Sequence, residues 1–278
     1  AFEVGFEEPV PNAITEPPGA VGKWWFDSRF EEETFSYPNG GTIFTINDRF
    51  YANSPGVTRW YDIDKSNDTV QYYIEFSNAA DLLNNNINTA PNLPGPVRVD
   101  AVSSGILKRT NRNPLNGDVQ GSNEEVIDPT GPVSVIVAMR KYRASDEIRI
   151  FDNDAGEDTY SPYFNSAEEA VFKTASNTAL NNRLRSDPLS DVRSKTILEG
   201  YHHPSKTPPS RIYKDGKLLD IGDISGPGTA VWDRLFVNSG TGYLFVYDII
   251  VYETELTTQQ IVDTRNYLSN KWDIPLDL

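Results

Sequence analysis

Residues Gly242–Pro275 read GYLFVYDIIVYETELTTQQIVDTRNYLSNKWDIP, and this stretch decides the fold. Its first part, Tyr243–Glu253, is an apolar and aromatic run of strand character. Thr257 then offers a hydroxyl N-cap, and Gln260 three residues later completes a capping box. Ile261, Tyr267, Leu268 and Trp272 follow at roughly helical spacing, and Pro275 prevents continuation. A helix this short is marginal alone, so it must dock its aromatic face on something larger. Tyr267, Leu268 and Trp272 are the residues expected to make that contact. Asp248, on the strand beside Tyr247, is expected to be a satisfied buried acid rather than a catalytic one.

Working outward, Arg211–Lys214, Asp215-Gly216 and Lys217–Ile221 form the clearest hairpin, because Asp-Gly supplies the positive φ angles of a type I′ turn. Val231–Val237 reads as the strand that follows it. Val133–Met139, VSVIVAM, is a continuous apolar run of strand length, expected to be buried on both faces. Glu147–Phe151, Ala170–Lys173, Leu180–Leu184 and Ser194–Glu199 continue the series. Earlier strands are expected at Lys23–Phe26, Thr42–Ile46, Val57–Tyr61 and Gln71–Phe76. Between Asn78 and Gly131 turn residues dominate, with only Val97–Val102 and Gly105–Lys108 extended. The expected class is all-β, a two-sheet antiparallel jelly-roll sandwich with one short C-terminal helix. Residues 1–22, with four prolines and alternating Phe2, Val4 and Phe6, are read as an extended N-terminal arm, and 23–278 as the domain.

Composition agrees. Aromatic residues make up 12% of the 278, enough for a packed core between many short strands. The formal charge of −15 repels phosphate backbones and anionic bilayers, so nucleic-acid binding and membrane-surface binding are set aside. No apolar run approaches a membrane span. Cysteine is absent, which excludes disulfides and thiolate metal sites and leans towards synthesis in a reducing cytosol. No signal peptide is visible, and Ala1 fits either an excised initiator Met or the residue after a signal-peptidase cut.

The closing segment resembles that of LamG-like domains in the concanavalin A-like lectin/glucanase superfamily. The residues that carry the likeness are Asp248, Tyr252, Leu256, Thr257, Tyr267, Leu268, Lys271 and Trp272. The hairpin RIYKDGKLL, the strand WDRLFVNSG, and the stretches WWFDS and VTRWYDID resemble further parts of such domains. The resemblance implies the sandwich fold and, in the form common in bacteriophage structural proteins, a role in binding or assembly.

Few residues carry chemistry within that frame. Glucanases of the superfamily place carboxylates about 5 Å apart on one strand as Glu-x-Asp-x-x-Glu, and no such run occurs here. His202 and His203 are adjacent, so on an extended chain they point apart and make a poor metal pair. There is no G-x-S-x-G elbow to support a Ser-His-Asp triad. Asp152, Asp154 and Asp158 in FDNDAGED are the candidate metal ligands, and Ca²⁺ is the ion they invite. The run fails the EF-hand pattern, however, and a solvated acidic turn is the favoured reading. No other cofactor is expected. Tyr160, Tyr163 and Tyr201, in loop-like text, are the candidate ligand-binding residues, by stacking on a sugar ring.

The expectation is therefore a non-enzymatic virion-surface protein of a bacteriophage, a capsid decoration, head-fibre or tail-associated subunit. Its partners would be other virion proteins and host-surface glycans, and it would assemble as a homo-oligomer. A cell-surface carbohydrate-binding or adhesion module is the alternative, followed by a glycoside hydrolase.

Overall fold

A computed structural model describes residues 23–27, 35–36, 43–46, 49–52, 59–61, 70–76, 97–100, 105–111, 120–124, 126–143, 147–152, 159–174, 183–225, 231–238 and 243–277. The arm at 1–22 and the acids Asp154 and Asp158 lie outside these residues.

Among the described residues, nineteen strands and one helix follow in chain order: β1 Lys23–Asp27, β2 Phe35–Ser36, β3 Ile43–Ile46, β4 Arg49–Ala52, β5 Arg59–Tyr61, β6 Val70–Phe76, β7 Val97–Asp100, β8 Gly105–Asn111, β9 Gln120–Glu124, β10 Val133–Lys141, β11 Ile148–Asp152, β12 Tyr160–Phe164, β13 Ala170–Lys173, β14 Leu184–Arg185, β15 Thr196–His202, β16 Ser210–Lys214, β17 Lys217–Gly222, β18 Arg234–Asn238, β19 Tyr243–Tyr252 and α1 Thr258–Trp272. One sheet runs β1-β19-β10-β15-β16-β17, with β7 pairing on the first half of β19 where β1 takes the second. The other runs β14-β13-β12-β11-β18-β8-β6-β5-β2, with β9 on β8, and β3 and β4 form a separate hairpin. We call the first two sheets A and B. Their pairings are antiparallel, and the chain is an all-β sandwich with one C-terminal helix.

Two apolar layers flank sheet A. Between the sheets lie Val133, Val135, Val137 and Met139 of β10, Ile249 and Val251 of β19, and Ile150, Phe151, Phe172 and Leu235 of sheet B. On the outer face of sheet A, Ile136, Ala138, Ile197 and Ile250 meet Tyr267, Leu268 and Trp272 of α1. The β10 run is thus buried on both faces, as VSVIVAM predicts, because a period-2 strand must present apolar side chains to sandwich and helix alike. The adjacent tryptophans divide the same way, Trp24 into the sandwich and Trp25 under the helix. Each such large side chain contributes about 1.5–3 kcal/mol of burial.

The helix forms as its sequence dictates. Thr257 accepts from the Gln260 backbone at 3.2 Å, and the Gln260 side chain accepts from the Thr257 backbone at 2.9 Å. With no glycine at the C-terminus, Asp273 takes the left-handed conformation at φ 53°. Asp tolerates that state better than most residues, because its short polar side chain bonds locally. The Asp215-Gly216 turn also has positive φ at both positions, 51° and 90°, as a tight hairpin requires.

Two expectations are corrected. Tyr160 and Tyr163 are not in a loop but in β12, and Tyr201 is not in a loop but in β15. Pro162 hides β12, since proline inside a run argues against a strand; the register shift between Tyr160 and Tyr163 accommodates it. Gly200 hides the end of β15, and its role is steric. A Cβ there would sit 2.9 Å from the Pro162 ring and 3.3 Å from Phe172. The two sheets can therefore approach only over a bare backbone. β2, β4 and β9 are also strands that turn-rich text concealed, while β14 opens at Leu184, the last residue of the expected Leu180–Leu184.

Candidate functional site

Two of the three candidate tyrosines, Tyr160 and Tyr163, come together on the outer face of sheet B. Tyr160 and Tyr163 lie on the same side of β12 because the register shift between them restores their parity, and they pack with Val171 of β13. Their rings meet edge to face with centroids 5.1 Å apart. Arg149, from the neighbouring β11, lays its guanidinium 4.9 Å from the Tyr160 centroid and 5.6 Å from that of Tyr163, within the range of cation–π attraction. Its Nη1 donates to Asp152 at 2.7 Å, three residues along the same strand. Glu147 accepts from the Tyr163 hydroxyl at 3.4 Å and from the Ser166 backbone at 3.2 Å.

Glu147, Arg149, Tyr160 and Tyr163 line a cleft of about 310 Å³ together with Asn165, Lys173 and Arg183. That volume is at the lower end of small-molecule sites. Burial pushes the Tyr163 hydroxyl well above the usual phenol range, against the pull of Arg149, so it stays protonated and can donate. Both rings are only 4% exposed, and the guanidinium covers them. The stacking surface expected for a sugar is therefore occupied by Arg149; the Tyr163 hydroxyl is turned to Glu147 and Lys173 is buried, so what the cleft presents is chiefly guanidinium. Arg149, Lys173 and Arg183 were not singled out from sequence; the signal available was only Arg149 in IRIFD, one residue out of phase with the apolar Ile148 and Ile150.

Tyr201 lies elsewhere. It is 1% exposed under α1, with its hydroxyl donating to Glu199 at 2.5 Å, and burial raises its pKa. Asp152 is 2% exposed and already paired with the Arg149 cation. Among the described residues no cluster of three His, Asp or Glu could hold a metal ion.

The other chemistry-bearing residues are structural. Asp248 sits at a bulge: Ala138 pairs with Asp248 and Met139 with Val246, leaving Tyr247 extra. Tyr247 and Asp248 therefore both turn outward under the helix. Asp248 accepts from Trp25 Nε1 at 2.7 Å, from Lys271 Nζ at 2.7 Å, and from Trp272 Nε1. These donors satisfy a fully buried acid, as its sequence position suggests. His202 reaches Ser210 at 2.7 Å and His203 reaches Ser134 at 2.9 Å. All four residues are at most 1% exposed, so the Ser134–His203 pair has no access for a substrate. A larger cleft of about 640 Å³ beside the C-terminus is lined by four cations and four acids; its Lys214 is taken by Asp215 at 2.6 Å and its Lys195 by the Trp272 carbonyl at 2.8 Å.

No protein-family model matches the sequence, and no curated protein matches it. Solved structures do match in fold. Trypanosoma rangeli sialidase in complex with sialic acid aligns at TM-score 0.50 and 12% identity, over 93% of this chain and 34% of that one. The binding domain of botulinum neurotoxin serotype D/C aligns at TM-score 0.48 and 13% identity, over 75% of this chain and 49% of that one. A botulinum neurotoxin type C structure, described by its dependence on two ganglioside molecules for cell entry, aligns at TM-score 0.47 and 13% identity, over 75% and 49%. The chain spans about a third of the sialidase and about half of the toxin domains. At such identities the sialidase match speaks for the fold: this chain folds as a β-sandwich of the kind found in that larger protein.

Proposed function

We propose that this chain is a non-enzymatic, lectin-like binding module whose ligand site is the cleft around Arg149, Tyr163 and Arg183, and that it serves on the surface of a bacteriophage particle. One observation carries the binding reading: α1 seals the outer face of sheet A, while the outer face of sheet B holds a cleft lined by polar side chains from β11, β12 and β13. The geometry favours binding over turnover. Glu147 is engaged by Tyr163 and by a backbone N–H, Asp152 is paired with Arg149, and the Tyr163 hydroxyl is driven away from ionisation by burial. The two-carboxylate arrangement of most glycosidases needs a pair of acids free to take or give a proton at the substrate, and Asp152 is buried and held by Arg149.

The virion reading is supported by the LamG-like closing segment and by the absence of cysteine in a chain that would assemble in a reducing cytosol. Its partners would be capsid or tail proteins and a host-surface glycan, with the chain present in several copies. Mass spectrometry of purified particles checks this: the protein should copurify at a fixed ratio to the major capsid protein. Its absence from particles, with glycan binding retained, would leave the cell-surface adhesion module instead. A glycan array probed with the full chain checks the binding reading, and turnover of any glycan, lost on Glu147→Gln, would overturn the non-enzymatic one.

A further inference from the structure

We infer that the cleft on the outer face of sheet B takes an acidic saccharide, one bearing a carboxylate or a sulfate, in preference to a neutral one. This rests on the cleft being the ligand site.

The first support is charge. In a chain of net charge −15, the cleft is lined by Arg149, the buried Lys173 and Arg183 against the lining acid Glu147, and Asp152 behind it pairs with Arg149. A local cationic site on an anionic surface concentrates an anion that the rest of the molecule repels, which gives selectivity as well as affinity.

The second is how the polar groups are used. Neutral sugars are held by bare aromatic faces and by amides and carboxylates that bond hydroxyls. Here Arg149 covers the two rings. The Asn165 amide is committed to Glu169 through Nδ2 at 2.7 Å, and its Oδ1 accepts from the backbone of Ala167 and of Glu169 at 2.9 and 3.0 Å. Glu147 is committed to Tyr163 and Ser166. The cations differ. Arg149 spends Nη1 on Asp152, and a guanidinium carries five N–H donors. Arg183 is half-buried and its charge acts on Glu169, which Arg185 and Asn165 already hold by hydrogen bonds. What remains to meet a ligand is guanidinium N–H, and its planar fork matches a carboxylate or sulfate in two-pronged geometry.

The third is contrast. The larger cleft beside the C-terminus balances four cations with four acids and has no such bias.

The test measures binding of the full chain to lactose, 3′-sialyllactose and 3′-sulfolactose by calorimetry at low and high salt. Both acidic sugars, or one of them, should bind at least about tenfold tighter than lactose, and should weaken as salt screens the cleft. The pair also separates carboxylate from sulfate. Arg183→Ala should weaken the acidic ligands by about tenfold and lactose by less, and Arg183→Trp should block the cleft to any ligand. Each variant removes a charge that acts on Glu169, whose hydrogen bonds from Arg185 and Asn165 stay in place, and unaltered thermal unfolding confirms that each folds. Lactose bound as well as the acidic sugars, lost in Arg183→Trp but kept in Arg183→Ala, overturns the acidic preference while keeping the site. Binding indifferent to both variants, or no binding of any of the three sugars, overturns the preference and the cleft together.

Discussion

Arg265 of α1 and Glu199 of β15 meet in a two-pronged ion pair, Nε to Oε1 and Nη2 to Oε2, both at 2.7 Å. The carboxylate is fully buried, the guanidinium side chain is 8% exposed, and the Tyr201 hydroxyl donates to the same acid. A fifteen-residue helix is fixed to the sheet by this pair and by the Asp248 cluster, in addition to its apolar face. Glu199→Gln strands the guanidinium without its counter-charge and should destabilise the fold by about 3–5 kcal/mol. Replacing both partners, Glu199→Leu with Arg265→Met, should be milder than either single change. Urea unfolding of these variants decides it; a Glu199→Gln protein as stable as the wild type would remove the pair from the account of the fold.

Trp272→Phe is a narrower probe of the Asp248 cluster. It keeps an aromatic ring against Tyr247 but removes one indole N–H from a fully buried carboxylate. Hydrogen bonds to charged groups contribute roughly 1.5–3 kcal/mol, and that loss is expected in the unfolding free energy. A variant within experimental error of the wild type would show that Trp25 and Lys271 suffice.

Gly200→Ala tests the contact that brings the sheets together. The added methyl would meet the Pro162 ring at 2.9 Å and Phe172 at 3.3 Å. Overpacking of this kind costs about 1–3 kcal/mol. The added Pro162→Ala should recover part of it, since the clash is with that ring. Equal melting temperatures for Gly200→Ala and the wild type would mean that the sheets have room to spare.

Acid sensitivity follows from His203. Burial, the largest influence, lowers its pKa from 6.5 to about 4, against Glu255, which raises it; Arg211, Lys206 and His202 also lower it. His202 is lowered by burial too, against Asp223 and Glu255. Between about pH 6.5 and 4 the unfolded chain therefore binds a proton at His203 that the folded chain does not. Stability is complete above the unfolded pKa and falls as the pH drops through this window, by roughly 3 kcal/mol for His203. Urea midpoints from about pH 7 to about pH 4.5 should fall more steeply for the wild type than for His203→Gln, and parallel curves would falsify the assignment.

What the sequence by itself determined were the features whose causes are local. The capping box at Thr257 and Gln260 needs only four neighbouring residues, the Asp215-Gly216 turn needs only two, and the apolar period of Val133–Met139 states its own double burial. The docking of Tyr267, Leu268 and Trp272, and the satisfied state of Asp248, followed from the same reading because a short helix has nowhere else to put an aromatic face. The tertiary structure alone decided that the helix covers the outer face of sheet A and which side chains meet on the outer face of sheet B. Pro162 and Gly200 each argue against a strand when seen in isolation, and only their contact across the sandwich explains both. That contact belongs to the packing that places β12 beside β11, where Arg149 covers Tyr160 and Tyr163 and the expected aromatic platform becomes a cationic cleft. Residues 149, 163 and 183 are far apart in sequence, and no periodicity within one segment can report a juxtaposition made by strand pairing.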